Sequence, residues 1–134
     1  MKIKIISLFV MCFFYAGISL LAQQSKMDSI AQSMGLKQYF FVMLSKGNAR
    51  NQDSVTAAKI QEGHLANIRR LAGLGKLLVA GPFGDNTNWA GIFIFDCPTK
   101  DEVEGLLKTD PAVAAGRLVY DIHPWWTMKN CVFK

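Results

Sequence analysis

The sequence has few of the residues that metal sites and cofactor sites usually need. Its 134 residues include three cysteines and two histidines, and none of these has the close spacing of a metal-binding motif. The glycines are spaced as turns, without the Gly-rich loop that binds the phosphates of nucleotide cofactors. Lys and Arg outnumber Asp and Glu by 15 to 10, but they form no basic run interleaved with aromatics. The composition therefore favours neither a metal, nor a nicotinamide or flavin cofactor, nor nucleic-acid binding.

The amino terminus has the pattern of a secretory signal peptide. Lys2 and Lys4 precede an apolar run over residues 5–18, and Ala22 supplies the small residue of a cleavage site. An uncleaved membrane anchor is the alternative, but the run is shorter than the roughly 20 residues of a membrane span. We therefore predict export, with residues 1–22 removed and membrane contact only before cleavage. The mature protein would be periplasmic or secreted.

The remaining chain is long enough for one domain with a single core. We expect a polar linker or frayed helical turn over residues 23–37, one domain over 38–128 and a tail over 129–134. Cys97 and Cys131 stay in the mature chain. A disulfide between them and two free thiols are both compatible with an exported protein.

Composition and periodicity predict four strands and two helices in the order β-α-β-β-α-β. Ser54 is the expected cap of the first helix, which Gly73 and Gly75 end, and Thr99 is the expected cap of the second, which Asp110 and Pro111 end. This order is that of a ferredoxin-like α+β fold, in which a four-stranded antiparallel sheet carries both helices on one face. The predicted strands are Tyr39–Leu44, Lys76–Ala80, Ile92–Phe95 and Leu118–Ile122.

The first and third strands are apolar on both faces, although two helices cover only one face of such a sheet. The other face needs a partner, and a second copy of the chain is the simplest one. We therefore predict a homodimer that packs through the open face of the sheet.

Two titratable side chains stand out as candidates for acid–base chemistry. His64 lies on the apolar stripe of the first helix, beside Gly63. A glycine inside a helix is less stable than an alanine, so its presence there indicates that another element approaches closely. Asp110 precedes Pro111 at the end of the second helix. As a pair, His64 would transfer protons and Asp110 would orient it. The alternatives are a buried histidine with one hydrogen bond and a carboxylate that caps local N–H groups. His123 follows the last strand, where a solvated edge is its simplest role.

These segments resemble the YCII-related proteins, a family of the dimeric α+β barrel group. The resemblance runs from about Tyr39 to Trp125. It is carried by the motifs His64-Leu65, Gly75-Lys-Leu-Leu78, Gly81-Pro82, Gly91 and Asp110-Pro-Ala-Val-Ala-Ala-Gly116. In that family the helix-one His and the Asp of Asp-Pro are the proposed active-site pair, and they correspond to His64 and Asp110.

Two departures from the family pattern concern the substrate pocket. Ala112 stands where family members often have an aromatic residue after Asp-Pro, which would change the pocket's size. Gln61 stands where some members have an Arg, which removes a possible cation for an anionic substrate.

Together with the absence of cofactor motifs, the His64–Asp110 pair predicts a small, exported, cofactor-free enzyme that isomerises a small, possibly cyclic or aromatic substrate or eliminates a group from it, since neither reaction requires a cofactor. His64 and Asp110 would be catalytic, while Gly81, Pro82, Phe83 and Trp89 would form the substrate pocket. The alternative is a non-catalytic ligand-binding or oligomerisation module on the same scaffold. A cofactor-free oxygenase would share the fold. The sequence leaves the substrate's identity open.

Overall fold

The computed structural model describes Gln23 and residues 25–129. These residues belong to two compact units, one formed by residues 38–126 and one by the segments that flank it. The predicted signal peptide, residues 1–22, lies outside the described residues, as does Cys131. Among the described residues, no helix is both long enough and apolar enough to span a membrane.

The flanking unit contains a helix where the sequence suggested a linker or a frayed turn. Residues 25–33 are helical, and Gly35, at φ +70°, follows the end of this helix. Apolar side chains recur three and four positions apart in this segment, which is the spacing of a helix face. The first strand then begins at Leu36, three residues earlier than its apolar composition predicted.

The strands and helices of the fold follow the predicted order, with one addition. The sheet order is β2-β3-β1-β4, and β3 pairs antiparallel with both β1 and β2. This is the ferredoxin-like α+β arrangement that the sequence predicted. In chain order the elements are β1 (Leu36–Lys46), α1 (Ser54–Gly73), β2 (Leu77–Pro82), β3 (Trp89–Phe95), α2 (Lys100–Lys108), α3 (Pro111–Ala114) and β4 (Leu118–Met128).

Two elements differ from the prediction for local reasons. The short helix α3 was not predicted, because Asp110 and Pro111 were interpreted only as the end of the preceding helix. Instead they start a new one: Asp110 is its N-cap and Pro111 occupies its first turn, where a missing N–H costs nothing. Strand β4 runs beyond Ile122 through Pro124, since an edge strand tolerates a residue that cannot donate a hydrogen bond.

Side chains at the helix ends determine where α1 and α2 begin. Thr99 caps α2 by accepting a hydrogen bond from the Glu102 N–H at 3.2 Å, as predicted. The cap of α1 is Asp53 and not Ser54. The Asp53 carboxylate accepts from both the N–H and the hydroxyl of Thr56, each at 2.8 Å, and a carboxylate also interacts favourably with the helix dipole.

The core lies between the sheet and the two longer helices. From the helices it receives Leu71, Val103 and Leu107, all at most 1% exposed. From the sheet it receives alternate residues of each strand, which therefore share one face: Phe40, Val42, Leu44, Leu77, Phe93, Phe95 and Ile122. The intervening residues of β1 and β3, including Phe41 and Ile92, belong to the opposite face. Both faces of these strands are thus apolar, as the sequence indicated.

Cys97 packs at the end of β3 as part of this core. It is a buried free thiol, and burial, reinforced by the nearby Glu102 carboxylate, raises its pKa. A thiol in such surroundings is a poor nucleophile.

Candidate functional site

His64 lies on the face of α1 that is directed toward the sheet. Its side chain is 12% exposed, and its ring stacks on Phe93 of β3 with centroids 6.1 Å apart and planes inclined by 20°. Since Phe93 belongs to the core, the stacking fixes the ring on a rigid element. The position on the inward stripe agrees with the helical periodicity of the sequence.

Gly63 allows α3 to reach the histidine. A Cβ atom at this position would lie 2.9 Å from Cγ of Pro111, closer than real Cβ contacts allow. The close approach that the sequence predicted beside His64 is therefore confirmed, and the approaching element is the first turn of α3. This contact places Asp110, the N-cap of α3, against α1.

Asp110 and His64, 46 positions apart, are joined directly. Nδ1 of His64 lies 2.8 Å from Oδ2 of Asp110. The other carboxylate oxygen, Oδ1, accepts a hydrogen bond from the Ala112 N–H at 2.8 Å. Asp110 thus caps α3 and contacts His64 at the same time, so the two roles that the sequence left as alternatives coexist.

The carboxyl of Asp110 is ionised at neutral pH although its side chain is only 1% exposed. Burial would raise its pKa, but the hydrogen bonds from His64 and from the Ala112 N–H outweigh burial. The pKa therefore lies below its ordinary value of 3.8. An ionised carboxylate can only accept hydrogen bonds, so Nδ1 of His64 carries the proton. Nε2 of a neutral imidazole is then an acceptor, as a general base requires.

A second set of polar residues supports Asp110 from the side of α1. The Asn67 amide donates to Oδ2 of Asp110 at 3.3 Å, and its own Oδ1 accepts from Arg70 at 2.7 Å. Arg70 also donates to the hydroxyl of Thr109 at 2.8 Å. Asn67 is buried, and the bond from Arg70 fixes which end of its amide faces Asp110. Sequence analysis missed this support, although Asn67 lies three residues after His64, on the same helix face.

A cavity of about 460 Å³ adjoins the histidine. His64 contributes to its lining, and so do all four residues predicted to form the substrate pocket: Gly81, Pro82, Phe83 and Trp89. Phe83 and Trp89 contact each other, with ring centroids 6.0 Å apart. The volume suits a small organic molecule.

Three cations that the sequence analysis did not single out also line this cavity: Lys46, Arg50 and Arg117. The first two lie in or near the polar loop after β1, and the third lies just before β4. In the sequence, each of them lies at or within a few residues of a strand end. This position does not indicate which strand ends are neighbours in the folded sheet.

The other candidate residues lie elsewhere. His123 is exposed on β4, in agreement with a solvated edge. Trp125 of β4 contacts Tyr39, with ring centroids 6.5 Å apart. Within the part of the chain that the structure describes, no three His, Cys, Asp or Glu side chains are grouped so that they could hold a metal ion.

Two solved enzyme structures are similar to this chain, and the first of them shows the same fold. Muconolactone isomerase matches with a TM-score of 0.57 and 14% identity, over 72% of this chain and 96% of that one. The 5-chloro-2-hydroxyhydroquinone dehydrochlorinase of Burkholderia phenoliruptrix AC1100, in complex with 2,5-dihydroxybenzoquinone, matches with a TM-score of 0.48 and 24% identity, over 64% of this chain and 92% of that one. A search of curated proteins finds no match.

The family comparison covers most of the chain. The sequence model of the YCII-related domain matches residues 39–126, a range that includes most of β1 and β4, all of β2 and β3, both members of the His64–Asp110 pair and every residue that lines the cavity. The range also agrees with the resemblance seen in the motifs from Tyr39 to Trp125. The chain therefore belongs to the YCII-related family.

Proposed function

We propose that this protein is a cofactor-free enzyme that isomerises a small cyclic substrate, or eliminates a group from it, by proton transfer through His64. The observation that carries the proposal is the 2.8 Å contact between His64 and a buried, ionised Asp110 at the edge of a cavity large enough for such a substrate. Geometry of this kind is what a general base and its orienting carboxylate need.

In the proposed reaction, Nε2 of His64 removes a proton from a carbon next to a carbonyl group. The electrons of the broken C–H bond form a carbon–carbon double bond, and the carbonyl oxygen becomes an enolate. In an isomerisation, the imidazolium returns its proton to a different carbon as the carbonyl re-forms. In an elimination, the electrons instead expel a leaving group from the neighbouring carbon, and the proton passes to solvent. Asp110 stabilises the imidazolium in both cases.

The test is the isomerisation of 3-cyclohexen-1-one to its conjugated isomer, followed by ultraviolet absorbance, with muconolactone as a second probe followed by NMR. We expect His64→Gln to slow turnover about 10²–10⁴-fold, the usual contribution of a positioned acid–base group. His123→Gln, the same substitution at the exposed histidine, should leave the rate unchanged.

The alternative function is a non-catalytic binding or oligomerisation module. It predicts that His64→Gln lowers the free energy of unfolding by about 1–3 kcal/mol, because a buried partner is left unpaired. In that case the wild-type protein would turn over neither probe faster than His64→Gln does.

We also propose that the protein acts as an exported homodimer. The apolar side chains of β1 and β3 on the face opposite the helices, such as Phe41 and Ile92, support the dimer. Sedimentation of the mature chain should give twice the monomer mass, and a monomer at micromolar concentration would refute it. Export is supported by the pattern of residues 1–22, and amino-terminal sequencing of protein recovered outside the cytoplasm should begin at Gln23.

A further inference from the structure

The geometry points to a carboxylate-bearing substrate: the cavity beside His64 binds a small ring through its aromatic wall and an anionic group through Lys46, Arg50 and Arg117. This inference rests on the proposed function, because it treats that cavity as the reaction site. Some family members have an Arg at the position of Gln61, and in this chain cations from other positions would take its place. The arguments for it are the clustering, the charge and the position of the three cations.

Hydrogen bonds bring the three cations together although they come from distant parts of the chain. The N–H of Gly47, next to Lys46, donates to the carbonyl oxygen of Arg117 at 2.8 Å. The Arg50 guanidinium donates to the same oxygen at 3.2 Å and to the Gly47 carbonyl at 3.2 Å. The loop after β1 and the start of β4 therefore form one cationic corner of the cavity.

This corner is not neutralised by carboxylates. The ion pairs His64–Asp110, Lys76–Glu102 and Lys108–Glu104 all form between other residues and leave the three cations out. The Arg117 guanidinium donates to the neutral Gln52 amide oxygen at 2.7 Å, and Nζ of Lys46 donates to the neutral Asn86 amide oxygen at 3.5 Å. Each guanidinium thus keeps N–H groups that no hydrogen bond to a described residue occupies, and a fork of such groups binds carboxylates in a fixed orientation.

Of the described residues that line the cavity, Asp85 is the only one with a carboxylate. It is already engaged, because one of its oxygens accepts from both the hydroxyl and the N–H of Thr87, at 3.0 and 3.4 Å. The lining thus contains three cationic side chains and one carboxylate, which is already hydrogen-bonded, so the cavity has an excess of positive charge. An anion entering it would recover Coulomb energy that a neutral ligand would not.

The cationic corner is also tied to the catalytic pair. The Arg117 N–H donates to the Ala112 carbonyl at 2.9 Å, and the Ala112 N–H donates to Asp110. Two consecutive hydrogen bonds thus fix Arg117 relative to the residue that orients His64. A carboxylate held at the corner would place the ring of the same molecule in the cavity that His64, Phe83 and Trp89 line. The anchor would therefore determine which ring carbon meets His64.

The experiment compares benzoate with benzamide, two flat rings of similar size that differ in charge, by titration calorimetry and NMR shifts. We expect benzoate to bind at least tenfold more tightly and its affinity to fall as salt is raised. Arg117→Gln, Arg50→Gln and Lys46→Gln should each weaken benzoate binding, by about tenfold or more for the arginines. None of them should change benzamide binding. Arg69→Gln, on the exposed side of α1, is the matched control and should bind like the wild type.

Two further variants separate the possible failures. Arg117→Lys keeps the charge and should retain part of the benzoate affinity, so a loss caused only by local unfolding would affect it as strongly as Arg117→Gln. His64→Gln should still bind benzoate, because the anchor and the base are different groups. Equal affinity for benzoate and benzamide, or unchanged benzoate affinity in all three cation variants, would overturn the substrate class. The isomerase activity is judged separately, from turnover of the neutral ketone.

Discussion

The Asp110→Asn variant should lose about 10²–10⁴-fold in the rate of ketone isomerisation. The Asp110 carboxylate accepts from Nδ1 of His64 and thereby leaves Nε2 free to take a proton. An amide at the same position can present its NH₂ group to Nδ1, which then becomes the acceptor, so the proton moves to Nε2 and the base is lost. Asp121→Asn, the same change at an exposed residue of β4, should have no effect. An Asp110→Asn enzyme as fast as the wild type would remove Asp110 from the mechanism.

The same variant should show a characteristic dependence of stability on pH. The Asp110 pKa lies below 3.8 in the folded protein, so its carboxylate stabilises the fold fully above that value. This contribution is lost as the pH falls from about 4 through the lower folded-state pKa. At neutral pH we expect the free energy of unfolding of Asp110→Asn to be about 1–3 kcal/mol lower than that of the wild type.

Urea unfolding at pH 7, 5, 4 and 3 would measure this effect. The difference in stability between wild type and Asp110→Asn should shrink below pH 4, because the amide does not titrate. Asp121→Asn again provides the control. A difference that stays constant down to pH 3 would mean that the Asp110 charge does not contribute to stability.

The largest effect on stability is expected at Gly47. This buried glycine directly follows β1 and packs against the turn before β4, and a Cβ atom there would collide with the carbonyl oxygen of Gly116. Because the obstacle is backbone, which side-chain rotation cannot relieve, Gly47→Ala should cost about 2–3 kcal/mol in the free energy of unfolding. It should also weaken benzoate binding, since the same segment positions Arg50 and Arg117.

Gly105→Ala is the matched control for this substitution. Gly105 lies inside α2, and a Cβ atom there has nothing within 4 Å, so alanine should stabilise the protein by about 0.5–1 kcal/mol. Thermal and urea unfolding of both variants would test the pair of predictions. A loss of less than about 0.5 kcal/mol for Gly47→Ala would mean that the loop can move away from Gly116 at little cost.

Local chemistry in the sequence determined much of the fold. The β-α-β-β-α-β order follows from apolar strands, helical periodicity and turn glycines, and these signals act between neighbouring residues. The same holds for the Thr99 cap and for Gly63, whose unfavourable place in a helix indicated a close neighbour. His64 was recognisable because a titratable group on an apolar helix stripe must be buried. Errors occurred at element ends, as at Asp53, where two adjacent residues could both serve as cap, and in two short helices, α3 and the helix over residues 25–33, that the sequence analysis did not predict.

The sequence alone could not decide between the roles of Asp110. A carboxylate before proline caps the following turn in any fold, whereas contact with His64 needs α3 to pack against α1 at Gly63. The support from Asn67, Arg70 and Thr109 depends on the same packing. Each of these contacts joins residues about 40 positions apart or more, except those within α1.

The cationic corner was decided by tertiary structure alone. Lys46, at the end of β1, and Arg50 and Arg117, in two loops, are ordinary basic residues, and nothing in their spacing indicates that they share a cavity. They meet because β4 lies beside β1 in the sheet, so that the end of one strand and the start of the other are neighbours, joined by the Gly47–Arg117 hydrogen bond. Strand order is a property of the whole sheet, set by long-range pairing, and it is this pairing that gives the cavity its charge.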